Sequence, residues 1–189
     1  MLRLGYELYI IETENKFNLV MKVSSLFLAI LISINLSAEL KSKLDRQIEE
    51  IMPKVIEWRH DIHQYPELGN REFRTSKKIE EHLVSLGIEV ETKIAYTGLV
   101  GLIKGGKPGP TIALRADMDA LPVEEKTGLP FASKVRTTYL GNDVGVMHAC
   151  GHDAHVAILM GVAEFLAKNK SDIKGNICLL YTSPSPRDP

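Results

Sequence analysis

The sequence predicts an α/β layered domain, and three observations carry that expectation. Apolar residues recur at helical spacing in three segments, short alternating or apolar runs lie between them, and turn residues separate the two kinds. The chain has 189 residues, 44% hydrophobic and 25% charged, which is enough for a core without disulfide staples.

The first forty residues stand apart from that pattern. Residues 1–20 carry Glu7, Glu12 and Glu14 and have no clear periodicity. From Met21-Lys22-Val23 an apolar run, Ser24 to Leu36, leads to Ser37-Ala38 and the charged Glu39. A basic start, a short apolar stretch and a small terminal residue describe a secretory signal peptide. Residues 21–38 are therefore expected to direct export, with translation starting at Met21 and 1–20 an upstream extension. The product would be periplasmic or secreted; with the Met1 start it would be cytoplasmic. The competing reading is a hydrophobic core helix in an N-terminal extension. Once that segment is removed, no membrane partner is expected.

The domain proper is read as 39–180. Leu40, Leu44, Ile48 and Ile51 set a helical period that continues to Tyr65, with Pro53 expected to kink or restart it. Pro66-Glu67-Leu68-Gly69-Asn70 is a turn. A second helix starts near Thr75, buries Ile79, Leu83 and Leu86, and ends at Gly87. Ile88–Ile94, Leu99–Ile103 and Thr111–Leu114 have strand character, and Gly105 to Pro110 supplies the turn between the last two. Leu121–Met147 lacks periodicity and is expected to be a long irregular connection. A strong helix then runs from His152 to about Asn169, with Val156, Leu159, Met160 and Ala163 facing the core and Leu166 continuing the stripe. Asn176–Leu180 is a buried strand. Beyond it, prolines at 184, 186 and 189 remove ladder donors, so 181–189 is expected to be a foreign tail on a domain cut in mid-sheet.

Composition excludes some functions. Basic residues number 23 and acidic residues 24, with no basic run that could track a phosphate backbone, so nucleic acid is not an expected partner. The only cysteines are Cys150 and Cys178. No disulfide scaffold follows, and without Cys-x-x-Cys a thiol redox role is weak.

Three motifs could carry chemistry. His148-Ala149-Cys150-Gly151-His152-Asp153, extended to His155, packs imidazole, thiol and carboxylate groups just before a helix N-terminus. Thiolate and imidazole suit zinc and other late first-row divalent ions, and the helix terminus favours the thiolate. The alternatives are a free cysteine in a capping loop and a Cys150–Cys178 disulfide. Arg115-Ala116-Asp117-Met118-Asp119 leaves the carboxyl end of a strand, with Asp117 and Asp119 on the same side. One could bind metal or orient a ligating imidazole; otherwise the segment is an ion pair and a turn. In Arg59-His60-Asp61-Ile62-His63 the two histidines share a helix face, and a structural role is favoured for them.

Together these segments resemble the amidohydrolase branch of the aminoacylase and carboxypeptidase metallopeptidase family. The similarity lies in Trp58 to His63 with Pro66-Glu67-Leu68-Gly69, in Leu114 to Pro122, and in Gly145 to Asp153. Hippurate hydrolase, the auxin-conjugate hydrolases and N-acetyldiaminopimelate deacetylase belong to that branch. The resemblance implies a zinc-peptidase-like catalytic domain with a central mixed sheet flanked by helices, truncated here, and a lid and dimerisation domain that is absent. It implies two divalent ions, manganese or zinc, and hydrolysis of N-acyl amino acids. A homodimer would require the missing lid. It also implies Cys150 and His152 as metal ligands and Asp119 as a site-orienting catalytic aspartate. Asp117, His148, Asp153 and His155 remain candidates for supporting or substrate-binding roles. In the family the strand is followed by a Gln-Pro-Ala-Glu-Glu type segment carrying the general base. Tyr181-Thr182-Ser183-Pro184 stands there instead, so this chain is expected to be inactive. The rival reading is a non-catalytic metal-binding or partner-binding domain.

Overall fold

The computed structural model describes residues 30, 33–34, 36 and 38–183. Residues 1–29, most of the proposed signal segment and 184–189 lie outside the described residues. The chain divides into two compact units, 1–47 and 48–189. In the first, residues 38–47 are helical. No helix among the described residues is long and apolar enough to cross a membrane. All that follows concerns the second unit.

Residues 48–64 form helix α1, and the helical run passes through Pro53 without a break. Met52, Pro53 and Lys54 are exposed, as is Glu49, so water can take the carbonyl that the missing proline N–H leaves free. Helix α2 spans Phe73–Ser85 and buries Thr75, Ile79 and Leu83. Its first turn is capped from a distance. Glu67, in the preceding turn, accepts hydrogen bonds from the Arg74 and Thr75 amides at 3.0 and 2.8 Å. Gly87, at φ +71°, ends the helix. Its N–H donates to the Val84 carbonyl and that of Ile88 to Leu83, the paired closure that glycine permits without a Cβ clash.

Strands β1 (Glu89–Ile94), β2 (Gly98–Lys104) and β3 (Lys107–Asp117) follow. After helix α3 (His152–Lys168), strand β6 (Lys174–Thr182) enters between β2 and β3. The sheet order is β1-β2-β6-β3, antiparallel except for the parallel β3–β6 pair. This is the mixed sheet that was expected. Helix α3 lies on the crossover between the two parallel strands, as such a connection requires. One sheet face carries Leu99, Ile103, Ala116, Ile177, Leu179 and Tyr181 into a core shared with Ile79 and Leu83 of α2 and Val156, Met160 and Ala163 of α3. All four residues expected to face the core from α3 are buried.

Two expectations need correction. The segment 121–147 holds a hairpin, β4 (Arg136–Tyr139) paired with β5 (Asn142–Gly145). Its turn residues Leu140 and Gly141 both have positive φ, the conformation of a tight hairpin turn. Leucine in that place, and two mostly exposed strands, hid it from pattern reading. The sheet also does not stop at Leu180. Strand β6 reaches Thr182, Tyr181 has no exposed surface, and the Ser183 hydroxyl bonds to the buried Glu72 carboxylate.

On α3, Glu164 is buried beneath two lysines, Lys54 at 2.8 Å and Lys168 at 2.9 Å. Burial would raise its carboxyl, but those hydrogen bonds and charges hold it below the usual range. The lysine stems leave solvent close by. A depressed carboxyl stabilises the fold fully above the unfolded value, about 4.3, and loses that contribution as pH falls through the folded one. The stability gap between the parent and Glu164→Gln, measured by urea unfolding, is therefore expected to be widest near neutrality and to close in acid. A gap independent of pH would refute this.

Candidate metal centre

The site gathers at the carboxyl end of β3 and the first turn of α3. These meet because β3 and β6 are parallel and α3 returns across them, so that strand end and helix start share one edge. Gly151 precedes the helix at φ +85°, and that left-handed turn swings the chain from Cys150 into His152.

His152 is the centre of the arrangement. Its Nδ1 lies 2.9 Å from Asp119 Oδ1 and 3.0 Å from the Asp119 carbonyl. With Nδ1 donating there, Nε2 presents its lone pair on the other side, where Asp117 Oδ2 stands 4.0 Å away. Asp117, His152 and His155 each offer a ligand atom, all within 4.8 Å of one another. The His152 and His155 rings are 5.3 Å apart. Two imidazoles and a carboxylate suit zinc or a similar divalent ion, and an imidazole fixed through its other nitrogen is how ligating histidines are held. The residues present thus fit a metal.

The carboxylates differ in surroundings. Asp117 Oδ1 is 2.6 Å from Arg115 Nη2, an ion pair at the end of β3. The Arg115 Nε also donates to the Thr182 hydroxyl at 2.9 Å, tying the ends of β3 and β6. Asp119 is buried, and burial raises its carboxyl above the usual range, opposed by the His152 charge and hydrogen bond and reinforced by Glu72 nearby.

The other expected residues are distributed unequally. Cys150 is a free, exposed thiol and is not among the three converging groups; Cys178 is free as well, in β6. His148 is 4% exposed, and neither ring nitrogen has a hydrogen-bond partner. Burial, with the charges of His63 and His152, pushes it down to about 4 although Asp153 pulls the other way. The Asp119 backbone also favours its charged form, without hydrogen-bond geometry. Asp153 is buried and points away from the cluster, towards α1. Its Oδ2 lies 2.9 Å from His63 Nδ1 and 3.2 Å from Arg59 Nε. His60 stacks on Phe131 at 3.8 Å. These contacts tie His60 and His63 to Phe131, Asp153 and Glu125.

Two buried acids escaped the sequence reading. Glu72 accepts from Thr97 at 2.5 Å and from Ser183, and Glu125 accepts from His63 at 3.2 Å. Nothing in their local sequence marks them, because their partners come from distant segments.

Residues 113–183 match Peptidase family M20/M25/M40. Over that segment the chain is similar to the family. Over 144 residues the chain is 52% identical to thermostable carboxypeptidase 1 of Saccharolobus solfataricus, covering 76% of this chain and 35% of that one. It is 38% identical over 141 residues to the N-acyl-L-amino acid amidohydrolase of Geobacillus stearothermophilus, covering 75% and 36%. Among solved structures, a Bacillus subtilis protein described as a dinuclear metal binding peptidase from the M20 family superposes with a TM-score of 0.63 at 41% identity. That likeness covers 70% of this chain and 35% of the other. The chain thus spans about a third of the length of these relatives.

Proposed function

We propose that this M20 segment forms part of the metal centre of an amide hydrolase whose complete form cleaves N-acyl amino acids using two divalent ions, manganese or zinc. The observation that carries the reading is His152, locked by Asp119 through Nδ1 and presenting Nε2 towards Asp117 and His155. The amidohydrolase and carboxypeptidase relatives support hydrolysis of an amide beside a carboxylate-bearing residue, and the dinuclear relative supports the metal count. A divalent ion at such a centre polarises the scissile carbonyl and lowers the pKa of water.

The chain's own residues have distinct tasks. Asp119 fixes the tautomer and angle of His152. Arg115 pairs with Asp117 and anchors it to the end of β6. Cys150, exposed beside His152 in sequence, is proposed as a further ligand in the complete centre. No acid occupies 181–183, where Tyr181 is core, Thr182 bonds Arg115 and Ser183 bonds Glu72. The 189-residue chain is accordingly proposed to lack the general base and to be inactive.

The test is to read the gene past codon 180, express that product and assay a panel of N-acyl amino acids with and without chelator. Chelator-sensitive hydrolysis is expected, and Cys150→Ser should sharply lower both metal content and rate. No hydrolysis of any acyl amino acid by the metal-loaded protein would overturn the reading, and unchanged metal stoichiometry in Cys150→Ser would remove that residue from it. Export through residues 21–38 belongs to the same proposal, and N-terminal sequencing of the secreted product checks it.

A further inference from the structure

His63 lies buried on the inner side of α1, between two carboxylates. Its Nδ1 is 2.9 Å from Asp153 Oδ2 and its Nε2 is 3.2 Å from Glu125 Oε1. An ionised carboxylate only accepts hydrogen bonds, and a neutral imidazole has one N–H to give. A neutral ring could satisfy one of these neighbours and would turn a lone pair on the other. The charges make the same point. Asp153 and Glu125 bring two negative charges, and Arg59, 3.2 Å from the same Asp153 oxygen, brings one positive. Burying the surplus negative charge is costly unless a second cation is present.

We infer that His63 carries both ring protons and serves as a cationic clamp, joining the first turn of α3 to the loop around Glu125. The groups facing it are those two carboxylates, Arg59 beyond Asp153, the Phe131 ring edge-on at 5.5 Å and His148 at 6.3 Å. Glu125 is held ionised. Its burial, under a thin layer of protein, would raise the carboxyl. Hydrogen bonds from the Thr127 hydroxyl, the Ser133 amide and His63, with the His63 charge, hold it below the usual range. Arg59 Nε donates to the same Asp153 oxygen that faces His63 Nδ1, so that oxygen accepts from two donors.

The clamp acts at both ends. Asp153 directly follows His152, so fixing it fixes the helix turn that carries the proposed ligand. Glu125 gathers Thr127 and Ser133, while His60, one turn back on α1, stacks on Phe131. The two histidines together press the 125–133 loop against α1. That loop walls a cavity of about 580 Å³ lined by Gln64, Tyr65, Leu129 and Lys134 among others. His63 is thus a positioning residue, acting through Asp153 and Glu125 to set where His152 and the cavity wall sit.

The decisive measurement is the ¹⁵N signature of the His63 ring in the histidine-labelled 189-residue chain at neutral pH. Both nitrogens are expected to be of the protonated type; one nitrogen of the unprotonated type overturns the inference. A pair of variants tests the clamp. Glu125→Ala should raise amide exchange in the 126–133 loop about 10-fold or more, and Glu125→Gln, which keeps an acceptor for Nε2–H, should recover part of that protection. Equal loss in both variants, or no loss in either, would defeat it. The effect on metal rests on the metal-centre reading above: His63→Gln should weaken Zn²⁺ binding about 10-fold. If the parent chain binds no Zn²⁺, that reading fails, while the ring signature still decides the clamp.

Discussion

Replacing His152 with alanine is expected to weaken divalent metal binding by this chain about 100-fold or more. Of the three converging groups it alone has its ring orientation set by another side chain, through the 2.9 Å contact with Asp119. Without it, Asp117 and His155 remain as two donors with no shared anchor, one of them already engaged by Arg115. The substitution also strips the buried Asp119 of the partner that opposes its burial. Calorimetric titration with Zn²⁺ reads the affinity, and circular dichroism checks that the helices survive. If a folded His152→Ala chain bound Zn²⁺ as tightly as the parent, the centre would have to lie elsewhere.

Leu179→Ala is expected to lower the unfolding free energy by roughly 2–5 kcal/mol, the range for deleting most of a buried leucine in a packed core. Leu179 sits in β6, flanked by Gly101 of β2 and Leu114 of β3, and has no exposed surface. Strands close in on both sides and α2 and α3 lie above, so the cavity cannot easily collapse. Ile112, on the outer strand β3, is 53% exposed, and Ile112→Ala should cost well under half as much. Urea unfolding of the two variants compares them directly. A loss from Leu179→Ala no larger than that from Ile112→Ala would mean that β6 is not the centre of the core.

Both predictions draw on parts of the molecule with different visibility in the sequence. Helix α3 was legible because Val156, Leu159, Met160 and Ala163 fall on one face and all pack inward; periodicity records burial directly. Gly87 announced the end of α2 for a comparable local reason, its positive φ. The β4–β5 hairpin was not legible. Its strands bury almost nothing and its turn uses Leu140, so neither alternation nor turn chemistry marked it. The end of β6 was misplaced by two residues because the prolines beyond it dominate the local pattern.

The sequence by itself determined the α/β class, the order of the main elements and the three motifs that bear the chemistry. Those properties follow from spacing along the chain, which short-range geometry translates into faces and ends of helices and strands. Only the tertiary structure decided which candidates meet. It set Asp117, His152 and His155 within 4.8 Å of one another and Asp119 behind His152. It left Cys150 facing solvent and turned Asp153 towards His63 and Arg59. The reason is that neighbours in sequence diverge at the start of a helix: His152 and Asp153 leave α3 in directions about 100° apart. One therefore faces the end of β3 and the other α1, and no reading of the His148–Asp153 motif as a string could assign those two directions.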